Sequence, residues 1–299
     1  MSYPRMIFPG KTYMLTRRTM RRYFLLRPDD EMKELVEYSL AVSARLYGME
    51  VHAFCAMSTH IHVVLTDTRG RLPLFLAYFH RLVAMGTKIF RHWEGSIWDS
   101  EQASTVELLT RDAIVEKIAY VLANPVAAGA VFDPNEWPGA KTTVTDIGQT
   151  VLKASRPKVY FDPTNWLDEV ELPIELPPMI AEADAQVFRD DVAKALAVEV
   201  EMARKTIAPE NILGAKRAAT ISPETRSKTP EATRKLNPTF AVGRGHSDIA
   251  AAARRVVTAF RSAYCAAIEL WRSGDRDVAF PAGTWWMRVF HSVNIGGSS

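Results

Sequence analysis

Two neighbouring apolar stretches, "MEVHAFCAM" (49–57) and "HIHVVLTD" (60–67), decide the fold that this sequence can adopt. Each stretch has the length and the apolar content of a β-strand. The MST segment (57–59) where they meet is short enough for a tight turn, which predicts a β-hairpin. Successive side chains of a strand point to opposite faces of a sheet, so we expect His60 and His62 to share one face.

Helix and strand patterns continue on both sides of this hairpin. The predicted elements are a strand over 12–20, a helix over 29–48, the two hairpin strands, a helix over 72–93, a strand over 104–109 and a helix over 111–125 that ends at Pro125. The order β-α-β-β-α-β-α indicates an α+β fold, in which an antiparallel sheet is covered by helices on one face.

A change of composition near residue 150 indicates a second part of the chain. Proline-rich connections come first, followed by helical patterns over 184–206 and 246–274 and, between them, a basic, Pro-rich linker over about 207–245. We therefore predict a domain over 1–148 and a largely helical C-terminal extension over 149–299.

The composition is that of an ordinary globular protein, with 47% hydrophobic and 24% charged residues among 299. No apolar run approaches the roughly 18 residues of a membrane span, and the first residues lack the apolar region of a secretory signal. Cys55 and Cys265 lie far apart in apolar contexts, which predicts neither a disulfide framework nor a zinc cluster. We expect a cytoplasmic protein with no membrane partner.

Positive charge is concentrated in short stretches although the net charge is only +3. Residues 11–28 carry six basic side chains and residues 69–92 carry five, and neither stretch contains an acidic residue. Basic stretches interleaved with aromatic residues favour a polyanionic partner, with nucleic acid as the first candidate. Solvated helix faces would give the same charge pattern, so both interpretations stay open.

The shared face of His60 and His62 has two interpretations. Two imidazoles one pleat apart can converge on one metal ion, and two His ligands leave positions open for a catalytic ion. The alternative is that one histidine is buried and hydrogen-bonded while the other is incidental.

The stretch "KIAYVLANPVAAGAV" (117–131) favours the metal interpretation. Tyr120 and Asn124 are four residues apart, so they share one face of the predicted helix. A tyrosine hydroxyl can act as a nucleophile, and an asparagine carbonyl oxygen is a hard ligand suited to Mg²⁺ or Mn²⁺. Taken separately, Tyr120 fits a core aromatic residue and Asn124 fits a helix C-cap.

Together these motifs resemble a known family. "MSTHIHVV" (57–64) followed by "YVLANPVAAG" (120–129) is similar to the single-tyrosine HUH transposases, and most of all to the REP-associated tyrosine transposases with an IS200-like domain. Supporting landmarks, in a resemblance that covers about residues 5–145, are Tyr13 to Arg17, "SIWDS" (96–100) and "EWPGAKT" (136–142).

The resemblance implies a ferredoxin-like antiparallel sheet with the His-hydrophobic-His motif on a central strand. It implies that His60, His62 and Asn124 bind Mg²⁺ or Mn²⁺ and that Tyr120 is the nucleophile; Asn124 stands where relatives use Gln. The implied activity is that of a DNA transposase, which cleaves and rejoins single-stranded DNA through a 5′-phosphotyrosine intermediate. The expected substrate is hairpin-forming repeat DNA.

The partners expected on this basis are single-stranded or hairpin DNA, bound by a monomer or a homodimer that associates with the bacterial nucleoid. The basic side chains expected to hold backbone phosphates are Arg17, Arg18, Arg21, Arg22, Arg81, Lys88 and Arg91. Two other functions stay open. One is a non-catalytic, repeat-binding regulator derived from a transposase, and the other is a metal-dependent phosphoesterase that uses water.

Overall fold

The computed structural model describes residues 4–227 and 238–296. The strands of this part are β1 (Lys11–Arg18), β2 (Met49–Met57), β3 (His60–Asp67), β4 (Ser104–Leu108), β5 (Val151–Ser155), β6 (Glu169–Pro173) and β7 (Phe240–Ala241). The α-helices are α1 (Asp30–Tyr47), α2 (Leu72–Arg91), α3 (Arg111–Ala127), α4 (Ala185–Thr206), α5 (Ala215–Thr220), α6 (Ser247–Arg272) and α7 (Trp286–His291). The predicted α+β class is confirmed.

The main sheet has the strand order β2-β3-β1-β4-β7. Its first four strands pair antiparallel, in the order expected of a ferredoxin-like fold, and β2 and β3 form the predicted hairpin. The short strand β7 pairs parallel with β4, which makes the sheet mixed. The expectation of a wholly antiparallel sheet is wrong at this edge, because two residues from the predicted linker extend the sheet.

Helices cover both faces of the sheet, and the prediction of one covered face is wrong. On one face, residues such as Leu15 and Val63 pack against α1 and α2. On the other face, Val64 packs in a second core with α3 and α4. The physical reason is visible in β3, where Val63, Val64 and Leu65 are consecutive and at most 1% exposed. A continuous apolar run is typical of a strand buried on both faces.

Helix α3 continues through Pro125 and ends at Ala127, later than predicted. Pro125 has no N–H to donate to the carbonyl four residues earlier, so the helix loses one hydrogen bond there and continues for two more residues. The Asn124 carbonyl still accepts from the backbone N–H of Ala128 at 2.9 Å. Asn124 therefore lies inside the helix, and its side chain emerges on the same side as that of Tyr120.

The part of the chain after residue 148 packs closely on the sheet domain. Phe188 and Val192 of α4 are fully buried in the core that α3 shares, and Val170 and Leu172 of the β5–β6 hairpin are buried beside α1. The predicted helices over 184–206 and 246–274 are confirmed as α4 and α6.

The predicted linker over 207–245 is partly ordered. It contains α5, whose Ala218 is fully buried, and the edge strand β7, while residues 228–237 lie outside the described residues. Across residues 4–227 and 238–296, none of the helices is both long and apolar enough to cross a bilayer.

Candidate active site

Strand β3 and helix α3 bring His60, His62, Tyr120 and Asn124 together on one face of the sheet. The Nε2 atom of His60 lies 3.0 Å from the Oδ1 atom of Asn124. The ring centroids of His62 and Tyr120 are 5.4 Å apart, and those of the two histidines are 4.6 Å apart. All four side chains that the sequence singled out as ligands or nucleophile are thus in mutual contact.

The hydrogen bonds of Asn124 show how the His60 ring is protonated. The Nδ2 amide of Asn124 donates to the Tyr120 carbonyl at 3.2 Å, so Oδ1 faces His60. Because a carbonyl oxygen only accepts, the Nε2 atom of His60 is the donor in this contact. Its Nδ1 atom then accepts from the Thr59 hydroxyl at 2.9 Å.

His62 is held differently, and one of its nitrogens has no partner among the described residues. Its Nδ1 atom lies 2.8 Å from the hydroxyl of Thr16, the residue paired with His62 on the neighbouring strand β1. Its Nε2 atom is buried and makes no hydrogen bond to any described residue. A buried polar atom without a partner is energetically costly, and a ligand that supplied one would offset that cost.

Burial keeps both imidazoles neutral. It lowers the pKa of His60 to about 4, opposed by the hydrogen bond to Asn124 and assisted by the charges of Arg18 and Arg22. Burial also holds the pKa of His62 well below its usual value, with further lowering from His60 and Arg18. The neutral form is the one that binds a metal ion.

The donors available to a divalent cation here are two imidazole nitrogens and one amide oxygen, of which the amide oxygen is the hard ligand. In the part of the chain that the structure describes, no cluster of three or more His, Cys, Asp or Glu side chains is arranged as a metal site, so an ion would depend on two imidazoles and Asn124. The 3.0 Å from His60 Nε2 to Asn124 Oδ1 matches neighbouring ligands of an octahedral ion with bonds of about 2.1 Å. For His60 Nε2 to bind a metal ion, the ring proton has to move to Nδ1, where the N–H can donate a hydrogen bond to Thr59 Oγ1.

Tyr120 is the exposed member of the group. Its side chain is 41% exposed, whereas Asn124 is 6% exposed. The ammonium of Lys117 lies 5.7 Å from the Tyr120 ring centroid, one helical turn away. An exposed hydroxyl beside a buried imidazole can meet a substrate that approaches from solvent.

Two of the predicted phosphate-binding arginines lie on the same side as the histidines. Arg18 pairs with His60 in the β1–β3 register, and the charges of Arg18 and Arg22 both act on the His60 ring. Arg21 and Arg22 follow β1 with φ of 47° and 55°, left-handed conformations that cost non-glycine residues about 1 to 2 kcal/mol each. Backbone strain of this kind is often stored at functional sites. Arg21 itself is exposed.

Arg17 is not brought to the site. It shares a sheet face with Leu15, the face that α1 and α2 cover. Its guanidinium donates to the carbonyl oxygens of Asp99, at 3.1 Å, and Glu101. We therefore assign Arg17 to holding the 99–101 loop on β1 and correct its predicted role.

The basic residues of α2 also lie away from the histidines, because α2 covers the opposite face of the sheet. Arg91 is only 5% exposed and forms an ion pair with Asp29 at 2.7 Å, which contradicts a role in binding phosphate. Arg81 is exposed and stacks over the Tyr78 ring at 5.2 Å, and Lys88 is half-buried on the same helix. Neither belongs to the site around His60.

The two threonines that contact the imidazoles were missed by sequence reasoning. Thr59 lies in the hairpin turn, directly before His60, and could have been suspected from that position. Thr16 contacts His62 only because of the β1–β3 register, which a single sequence does not show. A third histidine of the hairpin, His52, bonds Thr66 Oγ1 at 2.8 Å and is not part of the site.

Comparison with known proteins gives only distant similarities. No family model and no curated protein matches this sequence. Among solved structures, the chain is similar to a REP-associated tyrosine transposase bound to a REP hairpin, at 18% identity and a TM-score of 0.40, over 56% of this chain and 96% of that one.

Two further structures are similar over shorter parts of the chain. A protein assigned as a transposase, from Deinococcus radiodurans R1, matches at 21% identity and a TM-score of 0.30, over 37% of this chain and 88% of that one. The tRNA(His) guanylyltransferase of Saccharomyces cerevisiae matches at 12% identity and a TM-score of 0.29, over 46% and 71%. These similarities leave the function to be judged from the residues of the site.

Proposed function

We propose that this protein is a metal-dependent transposase that cleaves and rejoins single-stranded DNA with Tyr120 as its nucleophile. The observation that carries the proposal is one arrangement. An exposed tyrosine contacts the ring of a buried histidine, His62, whose Nε2 atom has no partner in the described residues. A ligand pair, His60 and Asn124, lies directly beside it.

The proposed reaction is an in-line transfer at phosphorus. The hydroxyl oxygen of Tyr120 attacks the scissile phosphate, and the bond from phosphorus to the 3′ oxygen breaks. The tyrosine proton passes to solvent, and the departing 3′ oxygen takes up a proton to become a free hydroxyl. Rejoining is the reverse attack by a 3′ hydroxyl on the 5′-phosphotyrosine, and it needs no ATP because the phosphodiester energy is preserved.

The other residues prepare this transfer. His60, His62 and Asn124 would hold Mg²⁺ or Mn²⁺, which when bound polarises a phosphate oxygen. Thr59 and Thr16 orient the two imidazoles through their Nδ1 atoms, which leaves the two Nε2 atoms as the nitrogens that would bind the ion.

The substrate assignment rests on both charge and resemblance. Arg18 and Arg22 place positive charge beside His60, where a phosphate backbone would pass, and the exposed Arg21 lies between them in the sequence. The choice of hairpin-forming repeat DNA comes from the resemblance of residues 57–64 and 120–129 to REP-associated transposases. Such an enzyme would act as a monomer or a homodimer on nucleoid DNA in a bacterial cytoplasm.

A second candidate is a repeat-binding regulator that does not cleave. The hydrogen bond from His60 to Asn124 favours the regulator, because this bond would have to break before the two atoms could bind an ion. The third candidate, a phosphoesterase that activates water, would use the same donors without Tyr120.

A cleavage assay separates the three candidates. An end-labelled single strand with a repeat hairpin is incubated with protein and Mn²⁺, with or without EDTA. The transposase account expects metal-dependent cleavage in which the 5′ end of the product stays attached to protein. Binding without cleavage would support the regulator, and cleavage that leaves a free 5′ phosphate would support the phosphoesterase.

A further inference from the structure

A cavity lies beside β4, away from the candidate active site. Its volume is about 470 Å³, and its walls come from the N-terminal segment, the starts of α2 and β4, and helices α6 and α7. A cavity of this size suits one small organic molecule. Thr105, which lines it, pairs with Leu15 of the face that α1 and α2 cover, so it lies across the sheet from His60.

Arg5 brings a poorly compensated positive charge into this cavity. Its guanidinium donates to the Ala103 carbonyl at 3.3 Å and to the Thr105 hydroxyl, which are both neutral. No described residue forms a carboxylate ion pair with Arg5. Burial and the nearby charge of Arg261 both lower the Arg5 pKa. An enclosed cation with only neutral partners is costly, and an anionic ligand would offset that cost.

Thr284 adds an unsatisfied hydroxyl to the wall of the cavity. The residue is 3% exposed, and its Oγ1 atom has no hydrogen-bond partner among the described residues. Its backbone is fixed, because its N–H donates to the Pro281 carbonyl at 3.1 Å and the Gly283 carbonyl accepts from Ile7 at 3.0 Å. The hydroxyl itself is closed to solvent, so a ligand oxygen would satisfy it after the side chain rotates towards the cavity.

Aromatic rings form much of the remaining wall. Tyr264 and Phe260 are one turn apart on α6, Trp285 directly precedes α7, and Trp286 is its first residue. Trp286 is 59% exposed, which is unusual for so large an apolar side chain. A planar ring stacked on it would remove apolar surface from water and could gain a stacking contact.

We propose that this cavity binds a nucleotide, with the phosphate at Arg5 and Thr284 and the base against Trp286. Arginine, a hydroxyl and an exposed indole together match the charge and the planar ring of that ligand. The nucleotide is either a free monophosphate or one unit of a single strand. The strand case rests on the proposed function, whereas the free-ligand case does not.

Equilibrium dialysis with labelled probes tests the proposal. The probes are dAMP, a five-nucleotide deoxyadenosine strand, and deoxyribose 5-phosphate, which lacks a base. We expect saturable binding of dAMP, the strand or both, and at least 10-fold weaker binding of deoxyribose 5-phosphate. The dAMP probe has no phosphodiester bond to cleave, so failure of binding at the cavity and failure of the proposed reaction are separate results.

Four variants locate the binding. Arg5→Gln and Trp286→Ala should each weaken it about 10-fold, and Thr284→Val about 5-fold. Thr284→Val removes a hydroxyl that has no partner in the described part of the chain, so it should fold normally even if Arg5→Gln does not. Arg288→Gln, an exposed change on α7 outside the cavity wall, is the matched control and should change nothing.

Three results would overturn the proposal. They are no saturable binding of dAMP or of the strand, equal affinity for deoxyribose 5-phosphate, and binding that Thr284→Val and Trp286→Ala both leave unchanged.

Discussion

The Nε2 atom of His60 and the Oδ1 atom of Asn124 lie 3.0 Å apart, joining the β2–β3 hairpin to helix α3. Their separation is right both for a hydrogen bond and for two neighbouring ligands of one octahedral ion. These two atoms could therefore form a hydrogen bond with each other when no metal is present and bind the ion when it is. In the proposed metal site Asn124 supplies the oxygen ligand, and its amide oxygen is a weaker ligand than a carboxylate would be.

Changing Asn124 should consequently change metal affinity in a defined order. Asn124→Asp adds a negative charge beside two neutral imidazoles, so we expect Mn²⁺ to bind about 10-fold more tightly. Asn124→Ala removes the third donor and should weaken Mn²⁺ binding about 10-fold or more. Isothermal titration with Mn²⁺ measures both, with exposed Asn135→Ala as the control. Equal affinities for all three variants would show that Asn124 is not a ligand.

The hydroxyl of Thr16 should matter for the direction of the His62 ring. Thr16→Val removes the partner of His62 Nδ1, so we expect Mn²⁺ affinity and cleavage to fall roughly 10- to 100-fold. DNA binding should stay within about twofold of the wild type. The matched control is Thr12→Val. Thr12 lies on β1 like Thr16 but away from the site, and the change breaks its 2.8 Å hydrogen bond to Thr66 of β3. If both variants lose the same activity, the effect is one of general stability.

How much of this site could be predicted depends on how local each relationship is. His60 and His62 share a face because of strand alternation, and Tyr120 and Asn124 do so because of helical spacing, so short-range spacing was enough. The contact of Thr16 with His62 depends on the pairing of strands that are far apart in the chain, which composition and spacing do not reveal.

The fold shows the same division. The hairpin and the long helices follow from periodicity, and the apolar run of Val63, Val64 and Leu65 already carried the signal for a sheet covered on both faces. Arg91 looked like a surface cation, because only the packed α2 shows that its side chain faces Asp29. Strand β7 is two residues long, too short for any periodicity to appear.

The ion pair of Arg91 with Asp29 should be structural. Arg91→Met removes one of the two arginines that pair with the largely buried Asp29 carboxylate, and Arg27 remains at 2.6 Å, so we expect the free energy of unfolding to fall by about 2 kcal/mol. The exposed Arg81→Gln change should alter it by less than about 0.5 kcal/mol. Urea denaturation measures both variants. At temperatures where Arg91→Met is folded, its affinity for single-stranded DNA should equal that of the wild type, and a large loss would restore Arg91 as a phosphate contact.

Stability should depend on pH through His52, which is fully buried between Thr66 and Glu175. Burial lowers the pKa of His52 to about 4, below its unfolded value near 6.5. Between these values the unfolded chain binds the proton more tightly, so stability is retained above about pH 6.5 and declines as pH falls towards 4. The whole loss from this residue is on the order of 3 kcal/mol.

A comparison of wild type with His52→Gln isolates that contribution. Denaturation midpoints of both proteins are measured from pH 7.5 to 4.5. The difference in stability between them should shrink as pH falls, because only the wild type has this proton to bind. A difference that is constant over the whole range would mean that His52 does not titrate as its burial requires.

The central claim is that Tyr120 forms a covalent bond to DNA, and mass spectrometry of the peptides of the reacted protein tests it most directly. The wild type is incubated with Mn²⁺ and a hairpin strand, digested, and searched for a nucleotide adduct. The account predicts an adduct on the peptide that contains Tyr120, absent from Tyr120→Phe although that variant still binds the strand. A 5′-linked adduct that persists in Tyr120→Phe, or cleavage by the wild type with no adduct on Tyr120, would contradict it.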